Sequence, residues 1–126
     1  MELGNTSKLK ILIVDDSKNM REVLTTLLSL EGYWCESAAN GLEALEKVKQ
    51  THFDLVITDV HMPKMDGVTL AGEITRHFTD LQVIIMTAQL DEHSQRSALT
   101  AGAREVLRKP FAISELTARL HKMLHV

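Results

Sequence analysis

The sequence predicts an α/β fold, (βα)5 and doubly wound, with a five-stranded parallel sheet covered on both faces. Three observations predict it. Five short apolar runs, several rich in Val and Ile, recur along the chain, and their length and β-branching suit buried parallel strands. Between them lie segments whose apolar residues fall at helical spacing. The two kinds alternate, and alternation of this sort implies a parallel sheet with right-handed crossovers.

The five runs are residues 9–14, 33–38, 53–58, 82–87 and 105–108. After the first, Met20, Val23, Leu24, Leu27 and Leu28 make one apolar stripe, and Gly32 stands where that helix should stop. Leu42, Leu45 and Val48 mark the second helix; Val68, Ala71, Ile74 and Phe78 mark the third. The fourth, residues 91–101, is the exception. It opens on seven polar residues, has only Ala98, Leu99 and Ala101 to anchor it, and closes at Gly102. It should be loosely held, and reads either as an element that moves in a switch or as an ordinary solvated helix. Ile113, Leu116, Leu120, Met123 and Leu124 give the fifth helix its stripe.

At 126 residues the chain is most simply one domain, burying about two thirds of its unfolded surface. Its bounds are residues 9–126, after a polar N-terminal extension over residues 1–8. A hydrophobic share of 44%, a charged share of 25% and a formal net charge of -3 suit a globular protein and give no electrostatic drive toward nucleic acid. No apolar stretch approaches the roughly 20 residues of a membrane span, and residues 1–10 lack the apolar centre of a secretory signal. The expected location is cytoplasmic, without membrane insertion. Cys35 is the only cysteine, which excludes an intramolecular disulfide and a thiolate metal cluster; it reads as a buried or half-buried strand residue. Asn5-Thr6-Ser7 matches a glycosylation acceptor, a chance match without a secretion signal.

Function is signalled by what ends the runs. Asp15-Asp16, Asp59 and Lys109 sit at or just past the carboxyl ends of the first, third and fifth, where open α/β sheets place their ligands. Two carboxylates about 5 Å apart repel by roughly 3 kcal/mol at an effective dielectric of about 20, so three of them call for a cation. Hard oxygen donors point to Mg²⁺, or Mn²⁺ in its place. Asp15 and Asp16 could merely begin the first helix, where Asp is favoured, but that does not account for Asp59 and Lys109. A carboxylate beside a divalent ion, a lysine and a hydroxyl is suited to accepting a phosphoryl group, which makes Asp59 the nucleophile. Thr87 ends the fourth run, so its hydroxyl can reach the same patch; on its own it would read as a half-buried strand residue. Lys109-Pro110 admits a cis peptide.

Ile11-Leu12-Ile13-Val14-Asp15-Asp16, Asp59-Val60-His61-Met62-Pro63-Lys64-Met65-Asp66-Gly67, Thr87-Ala88 and Lys109-Pro110-Phe111 together resemble the receiver domain of two-component response regulators. Each motif is weak alone; four in order and at family spacing are specific. The resemblance implies the flavodoxin-like strand order 2-1-3-4-5 and a single receiver domain over residues 9–126. It implies that Asp59 takes a phosphoryl group from a histidine kinase, a phosphotransfer protein or a small phosphodonor in a phosphorelay. Asp16 and Asp59 would hold Mg²⁺ with the backbone carbonyl of His61, and Asp15 would act largely through water. Lys109 would pair with the phosphoryl oxygens and Thr87 would turn toward them. Such a domain catalyses its own phosphorylation and dephosphorylation and is not a turnover enzyme.

Two departures carry consequences. Receivers often have an aromatic residue three positions before the lysine, and this chain has Val106, so the usual rotamer change at the face of helix four, strand five and helix five lacks its aromatic half. Phosphorylation could still bias helix four directly. His61 and Gln89, two positions after Asp59 and Thr87, fall where receiver side chains flank hydrolytic water and are expected to tune dephosphorylation; the plain alternative for His61 is an exposed loop histidine. His121 and His125 share a helical face but have no third ligand nearby, and read as a solvated or partner-facing end.

Rival functions are less well served. An aspartyl-nucleophile hydrolase of the haloacid-dehalogenase type wants an acid where His61 stands, and no glycine-rich nucleotide motif follows a strand. A receiver fold acting without phosphorylation would be signalled by loss of an acid, Thr87 or Lys109, and none is lost. The chain is expected to act by switching the binding of a downstream protein, as a monomer or weak dimer, with no direct nucleic-acid contact. The alternative is the regulatory domain of a longer regulator whose output domain is absent from this chain.

Overall fold

The computed structural model describes residues 9–89 and 91–124. The elements run β1 (Lys10–Val14), α1 (Lys18–Leu30), β2 (Trp34–Ala38), α2 (Gly41–Gln50), β3 (Leu55–Asp59), α3 (Gly67–His77), β4 (Gln82–Thr87), α4 (Glu92–Ala101), β5 (Glu105–Arg108) and α5 (Ile113–Leu124). All strands are parallel, in the order β2-β1-β3-β4-β5. This is the expected architecture and the expected order. Residues 1–8 and 125–126, and with them the N-terminal extension and His125, lie outside the described residues.

Strand alternation sorts the apolar residues onto two faces. Leu12, Val14, Val56, Val83 and Ile85 pack under α2, α3 and α4, against Ala44, Val48, Leu70, Ala71, Ile74 and Ala98. Ile11, Ile13, Leu55, Ile57, Ile84, Met86 and Leu107 face α1 and α5, meeting Leu24, Leu28, Leu116, Leu120 and Met123. In the three inner strands β1, β3 and β4, successive residues are therefore buried, as a two-sided sheet demands. Ser17, Asn40, Asp66 and Asp91 cap the first four helices, each accepting a backbone N–H three residues on. Gly102 ends α4 in the left-handed region at φ 116°, and a Cβ there would also collide with Thr75.

Several details differ from the sequence expectation. The third strand begins at Leu55, not at residue 53: the Asp54 carboxylate accepts the Lys10 N–H at 2.8 Å, taking the donor that a ladder carbonyl would have used. Phe53 is buried ahead of the strand. Phe78 caps α3 from outside the helix. Val23 and Leu42, expected on inward stripes, are exposed, as is Leu99, so α4 keeps Ala98 as its one buried residue. Among the described residues no helix is long and apolar enough to cross a membrane.

Candidate functional site

The register β1–β3–β4–β5 aligns Val14 with Thr58, Asp59 with Met86 and Thr87 with Arg108, so the carboxyl ends of four neighbouring strands finish side by side. Asp15 is the next residue beyond β1. Its N–H donates to the Ala38 carbonyl at 3.1 Å, extending the ladder by one position and burying the side chain. That buried carboxylate is satisfied on both oxygens: Oδ1 accepts the Ser17 N–H at 3.0 Å and Oδ2 accepts Lys109 Nζ at 3.1 Å. Asp16, one residue on, is exposed.

Asp59 is the last residue of β3 and is half-buried. Its Oδ1 accepts the Val60 N–H at 2.9 Å and lies 3.4 Å from Lys109 Nζ, so one ammonium bridges the carboxylates of Asp15 and Asp59. Gly67 makes this placement possible: a Cβ on it would lie 2.1 Å from the Asp59 carbonyl oxygen, and its N–H donates to the Val60 carbonyl at 2.8 Å. Burial raises the Asp59 pKa above its ordinary value; Lys109 opposes the rise and the charge of Asp15 adds to it. The lysine is in turn tied to β4, its N–H donating to the Thr87 carbonyl at 2.8 Å, and the Lys109–Pro110 peptide is cis.

Asp15, Asp16 and Asp59 each bring an oxygen within 4.8 Å of the others, the one such group of potential metal ligands among the described residues. Three negative charges face one ammonium. Hard anionic oxygens, an excess of negative charge and no thiolate fit a divalent ion such as Mg²⁺. Thr87 is buried beside this group. Its hydroxyl accepts the Gln89 N–H at 3.1 Å and donates to the Gln89 carbonyl at 3.2 Å, closing a tight turn after β4.

The remaining expected positions are more dispersed. His61 and Gln89 are exposed, and no hydrogen bond joins either side chain to the acids. Val106 is half-buried on β5, opposite Ile85, against the core layer that α4 covers. His121 lies on the exposed side of α5. Two contacts were not foreseen from sequence: the Ser17 N–H on Asp15, and Arg21 Nη1, which donates to the Asp15 backbone carbonyl at 2.7 Å. Asp15-Asp16-Ser17 hinted at the first through helix capping. No spacing rule pointed to the second.

Comparison with known proteins gives a consistent result. Residues 11–121 match the response regulator receiver domain family. The chain is similar to response regulator MprA of Mycobacterium leprae, 42% identical over 117 residues, which are 92% of this chain and 51% of that protein. It spans about half the length of the curated relatives it matches. Among solved structures, response regulator TrrA of Thermotoga maritima, in complex with Mg²⁺ and BeF, is 40% identical at a TM-score of 0.85, covering 92% of this chain and 99% of that one. CheY of Borrelia burgdorferi, in a complex with CheX, BeF3 and Mg²⁺, is 32% identical at a TM-score of 0.86, covering 90% and 87%.

Proposed function

The chain belongs to the response regulator receiver domain family, and from that premise we propose that Asp59 accepts a phosphoryl group in a phosphorelay. The observation that carries this reading is the single ammonium of Lys109 bridging Asp15 and Asp59 within a cluster of three acids. Asp59 is a nucleophile held in place by the Val60 N–H and Gly67, with a cation beside it. A carboxylate oxygen attacks phosphorus, the bond from phosphorus to the donor's leaving atom breaks, and the product is an acyl phosphate on Asp59. Lys109, released from part of its pairing with Asp59, neutralises charge on the phosphoryl oxygens. Thr87 exchanges its contact with Gln89 for one with a phosphoryl oxygen.

Asp16, Asp59 and the His61 backbone carbonyl would hold Mg²⁺, with Asp15 acting largely through water; Mn²⁺ is a chemically reasonable substitute. When bound, the ion supplies positive charge that offsets the acids and the phosphoryl oxygens. TrrA and the Borrelia CheY were each obtained with Mg²⁺ and a beryllium fluoride, which supports this assignment. The domain works once per phosphorylation and is not a turnover enzyme on an external metabolite.

The donor is a histidine kinase or phosphotransfer protein, and a small phosphodonor can replace it. The output is altered binding of a downstream protein through the face of α4, β5 and α5, from a monomer or weak dimer in the cytoplasm, without direct nucleic-acid contact. Residues 9–126 make the single receiver domain, after the extension of residues 1–8. The CheX–CheY complex is a relative's instance of a receiver with a protein partner. A second reading, the regulatory domain of a longer regulator, is favoured by the half-length match to MprA; the length of the native protein distinguishes the two.

Incubation with a small phosphodonor and Mg²⁺ should label the protein with an acid-stable, base- and hydroxylamine-labile phosphate, and Asp59→Ala should abolish the label. An unlabelled wild type overturns the proposal. Substitutions at His61 or Gln89 are expected to change the dephosphorylation rate more than phosphorylation competence; equal effects on both steps remove these residues from the tuning role.

A further inference from the structure

The peptide joining Asp15 to Asp16 carries one acid on each side, and its carbonyl lies past the end of β1, where the ladder with β2 and β3 has run out. A guanidinium takes it. Arg21 Nη1 donates to the Asp15 carbonyl at 2.7 Å, a charge-assisted bond that spans six residues. Each neighbouring group is fixed separately. The Asp15 N–H goes to Ala38, its Oδ1 to the Ser17 N–H and its Oδ2 to Lys109. Arg21 itself is anchored, since its N–H donates to the Ser17 carbonyl at 3.0 Å in the first turn of α1, and its side chain is half-buried.

The result is a closed ring from Asp15 through Ser17 and Arg21 back to Asp15. Rotation of the Asp15–Asp16 peptide would swing Asp16, which is exposed and whose carboxylate makes no hydrogen bond or ion pair among the described residues. Arg21 blocks that rotation. We infer that Arg21 is a positioning residue, holding the Asp15–Asp16 peptide so that the Asp16 carboxylate meets Asp59 across the cation site. The inference rests on the proposed metal role of Asp16 and deepens it.

The test is direct titration of the unphosphorylated full chain with Mg²⁺ by calorimetry, for wild type, Arg21→Ala, Arg21→Lys and Asp16→Asn, with metal-free denaturation of each in parallel. Arg21→Ala should weaken Mg²⁺ binding about 10-fold, the lower end of the loss on removing an outer-shell partner of a metal ligand. Arg21→Lys, which still offers one donor, should recover most of the affinity even though both variants lose some metal-free stability. A purely structural arginine would move stability and leave Mg²⁺ affinity alone. Unchanged affinity in Arg21→Ala while Asp16→Asn is weakened overturns the inference and leaves the metal site standing. Unchanged affinity in Asp16→Asn removes the metal role of Asp16, and the inference with it. If Arg21→Ala does not fold, Arg21→Met, which keeps the apolar stem and removes the donor, takes its place: Mg²⁺ affinity about 10-fold below wild type supports positioning, and affinity indistinguishable from wild type overturns the inference.

Discussion

Asp59 is held at a cost, and the cost has a sign. Burial lifts its carboxyl pKa above the ordinary 3.8, with Lys109 only partly offsetting the burial and the charge of Asp15. A carboxyl that binds its proton more tightly folded than unfolded contributes stability below the unfolded value, and loses it as pH rises through the folded one. At neutral pH without metal, ionised Asp59 therefore works against folding. Asp59→Asn should raise the melting temperature at pH 7 in chelator, with the gain shrinking as pH falls through the raised value and vanishing below 3.8; thermal melts across that range check it. Gly67 acts from the other side of the same residue. Gly67→Ala, whose Cβ would press on the Asp59 carbonyl, should cost about 1–3 kcal/mol in denaturant unfolding. At this scale the sequence was informative where chemistry sits at the end of an apolar run, as with Asp15, Asp59 and Lys109. It was silent on Arg21 and on the Thr87–Gln89 turn, because those contacts depend on loop dihedrals that no periodicity encodes.

Among the helices, α4 buries the least. It buries Ala98 alone, exposes Leu99, and is held at its start by the Asp91 side chain accepting the Ser94 N–H at 2.7 Å. The polar opening of this helix was legible in sequence, since seven polar residues cannot supply an inward stripe. The exposure of Leu99 was not, because a helix resting on one alanine can set its rotation by neighbouring contacts rather than by its own pattern. The turn that precedes it closes on the Thr87 hydroxyl. If Thr87 leaves Gln89 for a phosphoryl oxygen, the turn loses both of its hydrogen bonds to that hydroxyl, and α4 has little burial to resist the change. Val106, packed on the same sheet face, offers no aromatic ring whose rotation could carry the signal instead. Amides of α4 should exchange faster than those of α3, which buries Leu70, Ala71 and Ile74. Addition of Mg²⁺ and a phosphoryl mimic should alter protection over residues 88–106; unchanged protection there removes the direct route through α4.

For the whole molecule, the site exists only as a product of the topology. Asp15, Asp59 and Lys109 are 44 and 50 positions apart in turn, and three parallel strands in the order β1-β3-β4 with β5 beyond bring them to one edge. That alternation of runs and stripes was readable from sequence because period and length distinguish buried strands from amphipathic helices. The start of β3 was misplaced because Asp54 substitutes a side chain for a ladder carbonyl. Since unfolding disperses the acids, a cation that needs all three binds the folded state alone. Binding of that kind stabilises by RT ln(1 + [L]/Kd), about 2.7 kcal/mol when Mg²⁺ stands at 100 times its dissociation constant. For a domain of this size the corresponding rise in melting temperature is roughly 10 °C. The rise should be reversed by chelator, be strongly reduced in Asp16→Asn and Asp59→Asn, and not be reproduced by NaCl at matched ionic strength, which screens exposed charges without occupying a site. A melting temperature unmoved by Mg²⁺ would mean that Lys109 alone balances the acids, and that the cluster closes the sheet edge electrostatically rather than awaiting a cation.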